Sequence, residues 1–92
     1  MTQKRVQVVV TGRVQGVGYR ASCQYEAVSR GLTGWVCNRW DGAVEALFEG
    51  EAAAVDAMLD WCREGPPMAY VSGMEISIPP DAPPERGFRV RG

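Results

Sequence analysis

The chain has 92 residues, of which 46% are hydrophobic and 23% charged, with a formal net charge of -1 and no histidine. This length allows one domain with one core, which we expect to span residues 1–92. The small net charge argues against general affinity for nucleic acid or anionic membrane, and the missing histidine excludes Ser-His-Asp triads, Cys-His pairs and His-built zinc sites. Three widely spaced cysteines, Cys23, Cys37 and Cys62, are typical of reduced thiols, not of a disulfide framework.

The expected location follows from what the sequence lacks. No apolar run approaches the roughly 20 residues needed to span a bilayer, and the polar residues 1–5 lack the apolar stretch of a signal peptide. We therefore expect a cytoplasmic protein without a membrane partner. We also expect it to be a monomer.

The first half of the chain predicts a strand, a helix and a hairpin. β-branched residues alternate over residues 6–10, which favours a largely buried strand. A helix ending at Gly31 is predicted to present one apolar face, formed by Ala21, Tyr25, Val28 and Leu32. A second strand, opened by Trp35, and a third over residues 43–49 are predicted to meet at Asp41-Gly42, a pair that supplies the positive φ angles of a tight hairpin.

The second half predicts a helix, a strand, a proline-rich loop and a short final strand over residues 88–90. One face of this second helix is formed by Val55, Met58, Leu59 and Cys62, and Gly65-Pro66-Pro67 ends it. The fourth strand, over residues 70–78, is predicted to place Met74, Ile76 and Ile78 on one side. This order of elements is typical of an α+β, ferredoxin-like split βαβ fold, in which two helices cover one face of an antiparallel sheet.

The segment over residues 12–18, G-R-V-Q-G-V-G, lies between the first strand and the first helix and contains three glycines in seven positions. Glycine tolerates positive φ, so such a loop can direct several N–H groups at one anion, and a helix start adds further donors. Arg20 at this start offers a planar fork of donors that matches two phosphate oxygens. These features favour a phosphate site. A simple tight turn followed by a solvated arginine fits the composition about equally well, and the spacings of the known phosphate-loop motifs are absent.

Asn38 closes the second predicted strand just before the hairpin. An asparagine there is most often a turn former, which is the better interpretation if Asn38 stands alone. Its carboxamide also both donates and accepts, so it can hold an attacking water without changing charge. Asp41 and Glu45 are the nearby carboxylates, and the Asp-Gly turn explains Asp41 without a catalytic role.

Two segments, G-R-V-Q-G-V-G-Y-R and G-W-V-C-N-R-W-D-G-A-V-E, resemble the two signature segments of acylphosphatases in sequence, order and separation. The resemblance extends over essentially the whole chain. It implies an enzyme that hydrolyses an acyl phosphate to a carboxylate and inorganic phosphate without a metal or other cofactor, with phosphate or sulfate as competing anions. It also implies that Arg20 binds the phosphate and that Asn38 positions the attacking water. The implied phosphate cradle consists of Gly12, Arg13, Val14, Gln15, Gly16, Val17 and Gly18.

The sequence departs from the usual acylphosphatase pattern at three positions. Tyr19 replaces a common phenylalanine, Cys37 a frequent basic residue, and Trp40 a small residue or proline. These changes remove no catalytic group, but those at Cys37 and Trp40 bear on acyl-group preference. Trp40 fits an exposed hairpin aromatic better than an acyl-binding platform.

Two other functions are alternatives. An acylphosphatase-like module acting on carbamoyl phosphate occurs within much longer hydrogenase maturation proteins, and the end of the sequence at Gly92 favours a free-standing enzyme instead. An RNA-binding ferredoxin-like domain would stack bases on sheet aromatics in a basic setting. The first predicted strand has no aromatic residue and the net charge is negative, so we expect no nucleic-acid partner.

Overall fold

The computed structural model describes residues 2–92, which form two helices and one five-stranded sheet. The elements in chain order are β1 (Gln3–Arg13), α1 (Tyr19–Ser29), β2 (Thr33–Asn38), β3 (Val44–Glu51), α2 (Ala52–Glu64), β4 (Tyr70–Ser77) and β5 (Phe88–Arg91). The strand order is β4-β1-β3-β2-β5, with α1 packed on β2 and β5 and α2 packed on β1, β3 and β4. The predicted ferredoxin-like α+β fold is confirmed. Within residues 2–92, neither helix has the length and apolar character needed to cross a membrane.

The fifth strand makes the sheet mixed, whereas the sequence predicted an antiparallel sheet. β5 runs parallel to β2, because a proline-rich connection carries the chain from β4 at one edge to β5 at the other. Arg5 Nη1 donates to Ala82 O at 3.0 Å, and the Glu85 N–H donates to Glu49 Oε1 at 3.2 Å. Arg5 and Glu49 are directly opposite on β1 and β3, out of phase with the buried valines. The connection therefore passes over the sheet face that the helices leave open.

The core lies between the sheet and the helices. Val6, Val8 and Val10 of β1 are at most 1% exposed, which confirms the predicted alternation. The four residues predicted to form the inner face of α2 are also buried: Val55, Met58, Leu59 and Cys62. Phe48 of β3 stacks on Phe88 of β5 with ring centroids 5.7 Å apart, so the final strand is joined to the same core.

The predicted inner face of α1 was wrong at Ala21, Tyr25 and Val28, whereas Leu32, just beyond the helix, is buried as predicted. Tyr25 and Val28 are 72% and 60% exposed, and the buried residues of the helix are instead Tyr19, Cys23 and Ala27. Both sets recur at helical spacing, so periodicity alone allows either. The small side chains of Cys23 and Ala27 let the helix lie close to β2 and β5, which leaves the larger Tyr25 on the outer side.

The predicted apolar side of β4 is only partly buried. Met74 packs against the core, but Ile76 is 44% exposed and Ile78, beyond the end of the strand, is 78% exposed. β4 forms an edge of the sheet. Its outer apolar residues therefore have fewer neighbours than those of β1, which has a strand on each side.

Candidate active site

The end of β1, the start of α1 and the end of β2 meet at one end of the sheet. Val10 is paired with Val44, and Val44 is paired with Asn38, so Asn38 lies two strand spacings from β1, about 10 Å. A small cavity of about 140 Å³ opens between these elements. It is lined by Val14, Gly16, Gly18, Tyr19, Arg20, Ala21 and Asn38.

Two glycines shape the loop that precedes α1. Gly16 has φ 75°, and Gly18, the residue that caps the helix, has φ 81° and ψ 15°. A Cβ at either position would meet no atom within 4 Å, so the backbone conformation, not crowding, favours glycine here. The Ser22 N–H donates to Gly18 O at 3.1 Å, and the first-turn N–H groups before it have no partner within the helix. The backbone at Gly16 and Gly18 carries no side chain, and the start of α1 lies at the same cavity. The N–H groups of both can therefore contact an anion.

Gln15 lies in the predicted cradle but does not line the cavity. Its Nε2 donates to Arg39 O at 2.7 Å and to Ala43 O at 3.0 Å. These bonds tie the glycine loop to the β2–β3 hairpin. Gln15 therefore sets the position of the loop relative to Asn38.

Of the seven predicted cradle residues, the structure brings Val14, Gly16 and Gly18 to the cavity. Gly12 and Arg13 belong to β1, and Val17 packs against the core. At Gly12, with φ 121°, the β1–β4 register shifts, and a Cβ would lie 2.2 Å from Tyr70 O. The close approach of β4 thus accounts for this glycine.

Arg20, predicted to lie at the start of the helix, is the second residue of α1 and lines the cavity. Its side chain is oriented by a 3.0 Å hydrogen bond from Nη1 to Gly92 O. The first turn of α1 contains no acidic residue. The guanidinium charge and the helix dipole therefore act together on this cavity.

Asn38 ends β2 and lines the same cavity. Its Oδ1 is screened from solvent and accepts no hydrogen bond from residues 2–92. A buried amide oxygen without a donor costs about 1–3 kcal/mol, so this atom favours any donor, such as a water, that the cavity admits.

The hairpin after Asn38 closes without the Asn38 side chain. The Arg39 N–H donates to Ala43 O at 2.8 Å, and the Ala43 N–H donates to Asp41 Oδ1 at 3.1 Å. Only Gly42, with φ 94°, has positive φ in this hairpin, so the predicted pair of positive angles at Asp41-Gly42 was wrong. The turn-former interpretation of Asn38 therefore has no hydrogen bond to support it.

Asp41 and Cys37 are unsuited to catalysis as base and nucleophile. The pKa of Asp41 is lowered, first by the hydrogen bond from the Ala43 N–H, and Arg39 Nη2 pairs with its carboxylate at 3.1 Å. Burial raises the pKa of the Cys37 thiol, which keeps the thiol neutral near pH 7. Within residues 2–92, no three Cys, Asp or Glu side chains are grouped as metal ligands.

Tyr19 anchors the start of α1, a role that the sequence did not predict. It is 2% exposed, its hydroxyl donates to Cys62 O at 2.7 Å, and its ring lies 5.3 Å from that of Trp61. Burial is the main reason that its pKa is raised, so the hydroxyl stays protonated. These contacts attach the first residue of α1 to the end of α2, which places the adjacent Arg20. The sequence feature that indicates this role is the tyrosine hydroxyl, at a position where phenylalanine is common in acylphosphatases.

The family model described as Acylphosphatase matches residues 6–90. The chain belongs to the acylphosphatase family. It is 54% identical over 88 residues to an acylphosphatase of Rubrobacter xylanophilus, covering 96% of this chain and 80% of the relative. It is 59% identical over 73 residues to an acylphosphatase of Methylococcus capsulatus, covering 79% of each. The predicted acylphosphatase assignment is confirmed.

The fold agrees with that of a solved acylphosphatase. The crystal structure of the Bacillus subtilis acylphosphatase superposes with a TM-score of 0.91 and 34% identity, covering 99% of this chain and 100% of that one. The split βαβ arrangement predicted from the order of elements is therefore that of the acylphosphatase family.

Proposed function

We propose that this protein hydrolyses an acyl phosphate by direct attack of one water on phosphorus, with Arg20 and the glycine loop holding the phosphoryl group and Asn38 positioning the water. The observation that carries this proposal is the cavity that joins these groups. Arg20 and the start of α1 contribute donors and positive charge to it, and Asn38 contributes an amide whose Oδ1 has no donor. Membership in the acylphosphatase family supports the reaction class.

The phosphoryl group would be held by backbone N–H groups around Gly16 and Gly18 and by the Arg20 guanidinium. These donors are held in place before substrate binds, because Gly18 caps α1 and Gln15 ties the loop to the hairpin. Charge that develops on the equatorial oxygens in the transition state is then stabilised with little reorganisation.

The attacking water would donate a hydrogen bond to Asn38 Oδ1. Among residues 2–92, no Asp or Glu side chain lines the cavity to act as a general base, and the nearby Asp41 is already paired with Arg39. We therefore infer that the water proton passes to an oxygen of the substrate phosphoryl group. The bond from phosphorus to the acyl oxygen breaks, and because the leaving group is a carboxylate it needs little help from an acid.

The open sheet face also favours an enzyme over an RNA-binding domain. A domain of that kind stacks bases on exposed sheet aromatics. Here Arg91 Cζ lies 4.5 Å from the centroid of the Trp35 ring, and the proline-rich connection crosses the same face. This ring is therefore covered by a side chain of the protein itself and is not free to stack on a base.

The cytoplasmic location and the monomeric state remain predictions from the sequence.

The proposed function is tested by incubating purified protein with acetyl phosphate or benzoyl phosphate in the presence of EDTA. We expect hydrolysis at the same rate with and without the chelator, because the proposed mechanism uses only amide donors and one arginine. Release of phosphate is the measurement. No turnover above buffer would overturn the proposed function, and loss of activity that one divalent metal restores would overturn its metal independence.

Inorganic phosphate and sulfate are expected to inhibit competitively. A site formed by N–H groups and Arg20 should bind any tetrahedral oxyanion. Initial rates at several substrate and phosphate concentrations measure this. Inhibition that persists unchanged at saturating substrate would place the anion at a different site.

A further inference from the structure

A second, larger hollow of about 400 Å³ lies on the outer side of α1, between this helix and the end of α2. We call it the helix groove. One side is formed by α1, and the other by α2 and the turn that follows it. The residues that line it include Ala21, Ser22, Tyr25 and Glu26 of α1 and, opposite them, Trp61, Pro66 and Pro67.

The helix groove adjoins the candidate active site. Ala21, in the first turn of α1, lines both the groove and the small cavity that contains Arg20 and Asn38. The two hollows are therefore neighbours across one side chain of methyl size. A substrate whose phosphoryl group occupies the small cavity therefore has the groove beside it, next to Ala21.

The in-line geometry of phosphoryl transfer directs the acyl group toward the groove. The attacking and leaving oxygens lie on opposite sides of phosphorus. A water held by Asn38 is at the end of β2, and α1 packs over β2 and β5. We infer that the leaving oxygen points away from β2, toward the side where α2 covers β1, β3 and β4 and contributes Trp61 to the groove.

The lining of the groove indicates what it would bind. Tyr25, Trp61 and two prolines offer aromatic and apolar surface, and Tyr25 is 72% exposed. Glu26 is the charged residue among those that line it, and its carboxylate is paired with Arg30, so the lining offers no cation to a second carboxylate on the ligand. Aromatic surface beside an apolar ligand adds affinity beyond simple burial.

We propose that the helix groove binds the acyl group of the substrate and selects acyl phosphates with an uncharged aromatic or extended apolar acyl chain. This inference rests on the proposed function, because it takes the phosphoryl group to lie at Arg20. Trp40 is 94% exposed on the hairpin that follows Asn38. It therefore lies on the side of the attacking water and is not the acyl platform.

The test compares kcat/KM for 3-phenylpropanoyl phosphate with that for acetyl phosphate. In Tyr25→Ala, the ratio of the two values is expected to fall about three- to tenfold, which is the effect of losing one aromatic contact. Val28→Ala is the matched control, because Val28 is 60% exposed on the same helix and does not line the groove. It is expected to keep the parent ratio.

Two further variants and a folding measurement make the outcome decisive. Ser22→Phe, which fills the groove from α1, should lower the same ratio, and thermal unfolding should show that each variant is folded. A parent-like ratio in folded Tyr25→Ala and Ser22→Phe would overturn this inference alone. A fall in Trp40→Ala instead would also overturn it, by assigning the platform to the hairpin. No hydrolysis of either substrate by the parent would overturn the proposed function as well.

Discussion

Replacing Asn38 by alanine is expected to lower kcat by roughly 10²- to 10³-fold while inhibition by phosphate persists. The substitution removes the amide that we propose positions the water. It leaves the glycine loop, the start of α1 and Arg20 in place, because the Asn38 side chain makes no hydrogen bond through Oδ1 to hold them. Steady-state kinetics and the phosphate inhibition constant together measure the effect.

The control for Asn38→Ala must separate catalysis from strand stability. Thr33→Ala, at the other end of β2, changes the same strand far from the cavity and should keep nearly the parent rate. Thermal unfolding of both variants shows whether the strand is intact. If a folded Asn38→Ala protein hydrolyses acyl phosphate at the parent rate, Asn38 does not position the water.

Replacing Arg20 by lysine is expected to lower kcat/KM by about 10²-fold or more and to weaken inhibition by phosphate about tenfold. Lysine keeps the charge but loses the planar fork of donors. The Nη1 bond to Gly92 O, which orients the guanidinium, is lost as well. Both affinity and rate should fall, whereas Asn38→Ala should lower only the rate.

Arg30→Lys is the matched control for Arg20→Lys. Arg30 caps the opposite end of α1, where it pairs with Glu26, so the same substitution there tests the general effect of losing a guanidinium from this helix. We expect near-parent kinetics in this control. Unchanged phosphate inhibition in a folded Arg20→Lys protein would contradict the role of Arg20 as the phosphate ligand.

The sequence predicted the two principal residues of the candidate site, and the structure brings Arg20 and Asn38 to one cavity. Both residues were predicted from short local patterns. Arg20 follows a glycine-rich loop between a strand and a helix, and Asn38 lies at the end of a strand before a hairpin. The extent of the cradle was harder to predict. Gly12 lies in the same glycine-rich run, but it is required by the approach of β4, which is 58 or more residues away in the chain.

The positioning roles of Gln15, which was predicted as part of the phosphate cradle, and of Tyr19 were not predicted, for the same reason. Gln15 is polar and lies in a loop, which by itself suits a ligand contact as well as a tether. Its two acceptors, Arg39 O and Ala43 O, become its neighbours only when the hairpin folds beside the loop. The hydroxyl of Tyr19 likewise reaches Cys62 O only after α2 has packed against α1.

By itself, the sequence determined the order of the elements, the inner faces of β1 and α2, and the residues of the two signature segments, because periodicity, turn chemistry and short motifs are local properties. Only the tertiary structure decided which side of α1 is buried. Cys23 and Ala27 form that side because the helix lies close to β2 and β5, and Tyr25 faces the helix groove. The parallel pairing of β5 with β2 was also decided by the tertiary structure. The long connection after β4 carries the chain across the sheet to the free edge of β2, and no local sequence pattern specifies that pairing.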